Sequence, residues 1–206
     1  MARDFRQELE GVKCWDRPSQ ELLERHGEAL EDAAMQNREE LIGLCEFVET
    51  ERVRSYLEIG VWTGRLISTL DSLFSFDLVA ACDQGYARRF GLPIRLPERA
   101  RFFEGDSESA GFRDWRAELG HVDLVLIDAN HAYHAVKRDF EINRCFPHRF
   151  LAFHDITGGT RRTAGVGRFW RELDFGHKRS IARPHVELGL DYSIMGIGIW
   201  SETEPL

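Results

Sequence analysis

The sequence predicts an α/β fold: a mostly parallel sheet with helices on both faces. Three observations predict it. From about residue 55, short apolar runs alternate with segments of helical period; an acid or a polar pair repeatedly closes those runs; and a glycine turn separates the first run from the first helix. Alternation of this kind imposes right-handed crossovers and a sheet covered on both sides.

Residues 1–18 read as loosely ordered. From about Gln20 to Glu51 the chain is helical in character, with Leu22, Leu23, Leu30, Ala33, Leu41, Leu44 and Phe47 near helical spacing. Residues 55–59 (SYLEI) form the first strand, 60–64 the turn, and Leu66, Ile67, Leu70, Leu73 and Phe74 one face of a helix. The second strand, 78–82 (LVAAC), ends at Asp83, and a short third strand, 101–103, leads into Glu104-Gly105-Asp106-Ser107 and a helix to about Leu119. Residues 122–127 (VDLVLI) are the clearest strand and end at Asp128; a helix from His131 to about Asn143 carries Ala132, Val136 and Phe140 at four-residue steps. The fifth strand, 150–153 (FLAF), ends at His154-Asp155. A Gly- and Arg-rich segment, 157–167, precedes a helix at about 166–173. The run 192–200 (YSIMGIGIW) reads as the last strand, with about 180–188 as its antiparallel partner, although Pro184 suits only an edge.

A chain of 206 residues with 43% hydrophobic and 30% charged residues suits one core, with 1–50 as a helical extension and 51–206 as the main domain. Its net charge of −8 disfavours nucleic-acid and anionic-membrane partners, and no apolar run approaches the roughly 20 residues of a membrane span. The N-terminal charges do not fit a signal peptide, and Cys14, Cys45, Cys82 and Cys145 form no C-x-x-C; a cytoplasmic protein with reduced thiols and a small-molecule substrate is the expectation.

Ligands of such sheets bind outside the carboxyl ends of the strands. Gly60 there allows close backbone approach, but Trp62 interrupts the G-x-G-x-x-G of a nicotinamide fingerprint. Glu58, ahead of the glycine, suits a ligand with an ammonium group, as S-adenosylmethionine (SAM) has. Asp83, 23 residues after Gly60, can accept ribose hydroxyls, and Asp106 with Ser107 can meet an adenine edge. Helix capping and an ordinary strand-to-helix turn are the plainer roles open to these acids and glycines.

YLEIGVWTG, the acid of ACDQG, FFEGDSES, DLVLIDANHAYHAVKRDF and FLAFHDI follow in order the motifs of class I SAM-dependent methyltransferases. The chain resembles the bacterial subgroup of cephalosporin-hydroxylase-like proteins and sugar O-methyltransferases, over about Tyr56 to Trp170 plus a GIGIW strand. The I-D-x-x-H-x-Y…D block is the most specific part. The resemblance implies a Rossmann-like seven-stranded sheet of order 3-2-1-4-5-7-6 with the last strand antiparallel. It implies a SAM site from Glu58, Gly60, Trp62, Thr63, Gly64, Asp83, Gln84, Asp106, Ser107 and Asp128, and a homodimer as a common assembly.

Asp128 and Asp155, with His154, are the candidate ligands for Mg²⁺ or another divalent cation, and His131 with Asp128 the candidate catalytic pair. Asn130 stands where relatives carry an acid proposed as the base, and an amide cannot take that proton. Hydrogen bonding to the cofactor or nearby loops accounts for Asp128, Asp155 and His131 as well. Arg161 and Arg162 either clamp an anion within a closing segment or lie on a solvated loop. A metal-dependent hydrolase using Asp128, His131, His154 and Asp155, and a non-catalytic SAM- or nucleoside-binding protein, are the alternative functions.

Overall fold

A computed structural model describes residues 3–16, 21, 24, 25 and 33–206. The strands β1 (Ser55–Ile59), β2 (Leu78–Asp83), β3 (Arg101–Glu104), β4 (Val122–Ile127), β5 (His148–His154), β6 (His177–Ile181) and β7 (Ile197–Ser201) form one sheet of order β3-β2-β1-β4-β5-β7-β6. The first five run parallel, and β7 is antiparallel to both β5 and β6. This is the Rossmann-like methyltransferase arrangement that the resemblance implied.

Strand alternation assigns every central side chain to one of two cores. Tyr56, Val79, Ala81, Leu124, Leu126, Phe150 and Ala152 face the layer containing α1 (Phe5–Glu8), α2 (Arg38–Thr50) and α3 (Arg65–Phe74). Leu57, Ala80, Cys82, Val125, Ile127, Leu151 and Phe153 face α4 (Ala110–Leu119), α5 (Tyr133–Arg144) and α6 (Ala164–Glu172). Glu58 shares its side of β1 with Tyr56, so it points toward the N-terminal layer. The extension of 1–50 therefore packs into the same core as the sheet through Phe5, Leu9, Leu41, Leu44 and Phe47.

The sheet was legible, but several boundaries differ. Residues 3–16 are packed rather than loose. Asp4 caps α1 by accepting from the Arg6 and Gln7 amides, Phe5 and Leu9 are buried, and the Arg3 guanidinium lies 4.7 Å from the Phe5 ring centroid. In the helical stretch expected from residue 20, Glu21, Glu24 and Arg25 are helical, and Arg38–Thr50 is a helix that Asn37 caps. Ala34 instead bridges Cys14, and Leu22, Leu23 and Leu30 lie outside the described residues. The last strand is only Ile197–Ser201: Gly196, at φ +82°, leaves the extended conformation, although its carbonyl and that of Met195 still accept from the Ile156 and Thr157 amides. Its partner is the mostly exposed, basic β6, which stops before Pro184.

The thiols are free, with Cys145 exposed and the other three buried. Among the described residues, no helix is long and apolar enough to cross a membrane.

Candidate active site

At the switch between β1 and β4 the carboxyl ends of the strands diverge, and a hollow of about 30 Å³ opens there. Glu58, Gly60, Val61, Trp62, Thr63 and Asp128 line its sheet side, and Ala33, Ala34, Met35 and Gln36 cross it from the N-terminal layer. Glu58 is 2% exposed; its Oε2 accepts from the Tyr56 hydroxyl at 2.8 Å, and burial drives its carboxyl well above the usual range. A carboxyl kept protonated by burial becomes a carboxylate when a cation arrives beside it.

Gly60 also serves a contact that its sequence does not suggest. A Cβ at this position, with φ +88°, would sit 2.3 Å from the Asp128 carbonyl oxygen, so the glycine lets β1 and β4 close against each other. Gly64, which takes a φ of +82°, caps the start of α3. Trp62, between them, holds φ +52°, an uncommon conformation for a bulky side chain. Its ring packs on Tyr86 and Phe90 with centroids 5.8 and 5.6 Å away.

Asp83 sits where the ribose acid was expected, and it organises the walls. One oxygen accepts from the Val61 and Trp62 amides at 3.0 and 3.3 Å, the other from Gly85 and Tyr86 at 2.6 and 2.9 Å. Gln84 beside it is exposed. Asp106 accepts from the Glu108 amide, while the actual cap of α4 is Ser109. The Ser107 hydroxyl donates to Asp139 at 2.7 Å, which ties the segment after β3 to α5. Burial pushes the Asp139 carboxyl up to about 6, against that hydrogen bond.

Next to the hollow, Asp128, His131 and Asp155 each bring a ligand atom within 4.8 Å of the others. His131 Nε2 lies 3.2 Å from Asp128 Oδ1 and its Nδ1 3.6 Å from Asp155 Oδ2, so the imidazole bridges two carboxylates. The hydrogen bond to Asp128 raises the His131 pKa. His154 is not part of that triplet. It stands beside it, Nδ1 3.3 Å from the same Asp128 oxygen and 3.9 Å from Asp155 Oδ2, with a buried Nε2 that meets no partner among the described residues. Burial opposes its charge, but Asp128 and Asp155 bring it up to about 9. Burial likewise opposes charge on Asp128, yet the two imidazoles hold it at about 2. Asp155 is raised by its burial and adopts φ +63°, a strained turn at the end of β5.

Other expected residues fall elsewhere. Asn130 Oδ1 accepts from the Ala132 amide and shapes the loop. The segment 157–167 is packed: a Cβ on Gly165 would lie 2.3 Å from the His131 carbonyl, and Gly158 meets Gly167. Arg161 and Arg162 are exposed on it. Phe169 and Trp170 are core, and the Tyr133 hydroxyl bonds Glu172 at 2.5 Å. A larger groove of about 230 Å³ between α5 and α6 has Tyr133 and Glu172 on its wall, but none of the strand-end acids.

Two residues escaped sequence reasoning. Glu40 of α2 is fully buried and accepts from the Arg183 and Gly196 amides and the Ser193 hydroxyl, fastening the β6–β7 connection over the site. An acid in helical step with Leu44 and Phe47 was the available signal. Gln36, 1% exposed and lining the hollow, offers no comparable one.

Residues 57–156 match a family model described as a methyltransferase domain. No curated protein matches the chain. Among solved structures, an O-methyltransferase TomG from Streptomyces achromogenes, solved with SAM, aligns at TM-score 0.56 and 15% identity over 87% of this chain and 86% of its own. An O-methyltransferase from Bacillus cereus, solved with SAH, aligns at 0.54 and 12% over 98% and 93%. A Staphylococcus aureus structure described as a caffeoyl-CoA O-methyltransferase aligns at 0.62 and 16% over 88% and 91%. These likenesses establish the fold, and the domain match establishes the enzyme class.

Proposed function

We propose that this chain, a class I SAM-dependent methyltransferase, methylates a hydroxyl oxygen of a small molecule held at Asp128, His131 and Asp155. One observation carries the reading: Asp128 lines the hollow beside Glu58 and the glycine turn and also belongs to the imidazole–carboxylate triplet. A methyl donor seated along β1 would therefore abut a site suited to taking a proton. An amine nucleophile needs no such base once neutral, whereas a hydroxyl must lose its proton as it attacks.

SAM supplies the methyl group as a sulfonium. Glu58 would balance its ammonium, Asp83 would hold the turn against which the adenosyl part lies, and Ser107 and Asp106 would border the adenine. Alignment of oxygen and methyl carbon can contribute roughly 7–11 kcal/mol. The attacking oxygen forms the new C–O bond as the C–S bond breaks, its electron pair passing to sulfur. His131 takes the hydroxyl proton, and Asp128 and Asp155 stabilise the imidazolium that forms.

Two carboxylates and an imidazole within 4.8 Å also fit a hard divalent cation such as Mg²⁺ or Mn²⁺, with Asp128 and Asp155 as its oxygen ligands. Such an ion would lower the pKa of the substrate hydroxyl. The hydrolase alternative loses ground because the matched domain is a methyltransferase domain.

Calorimetry with SAH, followed by SAH release on a panel of diols and catechols with and without Mg²⁺, tests the proposal. His131→Ala is expected to lower turnover by roughly 10²–10⁴ while leaving SAH affinity intact. The wild-type rate should rise with pH through the raised His131 pKa, as the imidazole becomes able to accept a proton. Absence of SAH and SAM binding at millimolar concentration would sink the proposal.

A further inference from the structure

Two residues that line the hollow at the end of β1 each carry a buried polar atom that meets no partner among the described residues. These atoms are the Gln36 Oε1, an acceptor, and the Trp62 Nε1, a donor. Leaving a buried polar group unpaired costs on the order of 1–3 kcal/mol, so native proteins rarely carry two on the lining of one hollow without a use. A third lining group, the Glu58 carboxyl, has the Tyr56 hydroxyl as its one hydrogen-bond partner among the described residues. Two acceptors and one donor in a small recess are the complement of an α-amino acid head group, whose ammonium gives hydrogen bonds and whose carboxylate takes them.

We propose that Gln36 and Trp62 recognise the methionine head group of the cofactor: Gln36 Oε1 accepts from its ammonium together with Glu58, and Trp62 Nε1 donates to its carboxylate. This rests on the reading of the hollow as the methionine end of a SAM site. The N-terminal layer thus contributes a binding residue that completes the glycine turn.

Gln36 is held for this task from both sides. Its carbonyl accepts from the Trp15 amide at 3.1 Å, the neighbouring Ala34 amide donates to the Lys13 carbonyl at 2.8 Å, and Asn37 donates to the Arg183 carbonyl at 2.9 Å. Small side chains at Ala33 and Ala34 let this segment lie close to the turn. The left-handed backbone of Trp62, in turn, sets the direction of its Cβ, and packing on Tyr86 and Phe90 holds its indole.

Two ligands separate recognition of the head group from recognition of the nucleoside. SAH carries the amino acid; 5′-deoxy-5′-methylthioadenosine has the same adenosine and sulfur without it. Gln36→Met keeps the length and bulk of the side chain but removes the acceptor. It is expected to weaken SAH roughly tenfold to a hundredfold, the range for a hydrogen bond to a charged group, and to leave methylthioadenosine within twofold. Trp62→Phe should show the same pattern, and Gln36→Glu, which keeps an acceptor, should hold SAH within about threefold. Unchanged SAH affinity in Gln36→Met, or equal loss of both ligands in a variant that melts like the wild type, would overturn the proposal. Should Gln36→Met fail to fold, loss of SAH by Gln36→Glu would overturn it and retention would support it. Wild-type protein that binds neither ligand would instead overturn the SAM-site reading itself.

Discussion

The two ends of the parallel sheet both bury acids, yet they treat them oppositely. At the amino end, Asp123 accepts from the Arg54 and Ser55 amides at 2.7 and 3.1 Å and from His121, while its own amide donates to the Ser55 hydroxyl. Burial works against its charge, but those donors keep its carboxyl below the ordinary value. At the carboxyl end, Glu58 is driven toward protonation, and Gln36, Trp62, His154 and Thr157 each leave a buried atom unpaired. Around Asp123 the hydrogen bonding is closed, although Arg116 Nε and Asn143 Oδ1, toward the same end, are buried without a partner among the described residues. At the carboxyl end the unpaired atoms stand beside the strained Trp62 and Asp155, and that is where we propose the cofactor binds.

The contrast is sharpest at Asp83, which belongs to both descriptions. Asp83→Ala strands the amides of Val61, Trp62, Gly85 and Tyr86, so stability should fall by about 3–5 kcal/mol in urea and SAH heat should vanish from calorimetry. Retained SAH affinity would place the cofactor elsewhere.

Asp123→Ala is the counterpart at the amino end. A loss of about 2–3 kcal/mol is expected with SAH affinity within twofold of wild type. A tenfold loss of affinity in the folded variant would break the division between the two ends.

The smallest effect concerns pH. Asp139 titrates at about 6 in the folded protein, above its ordinary value, so the native state binds the extra proton between about pH 4 and 6. That contribution is fully present below about pH 4 and is lost as pH rises through 6, on the order of 2–3 kcal/mol. Asp139→Asn, which keeps an acceptor for Ser107, should be the more stable protein above pH 6 and should flatten this slope. Parallel pH profiles for the two proteins would show that Asp139 is not buried as described.

Central strands such as β1 and β4 were readable because both faces are covered, which leaves short, nearly unbroken apolar runs in the sequence. The acids at their ends were readable for the same reason, as polar stops on apolar runs. His131 stood out as an imidazole near such a stop. β6 was blurred because HKRSI is an exposed edge whose register comes from β7 alone. Glu40 and Gln36 looked like ordinary members of a polar stretch, since their partners lie more than 20 positions away in sequence. Polar residues acquire meaning only from what the fold brings to them.

β7 lies between β5 and β6, yet it is synthesised after both. As the polypeptide leaves the ribosome, β1 to β5 can assemble while β6 has nothing to pair with. The donors that fasten Glu40, from Arg183 to Gly196, arrive in that same late stretch. The nascent sheet can therefore be nearly whole before the roof over its reactive rim is latched.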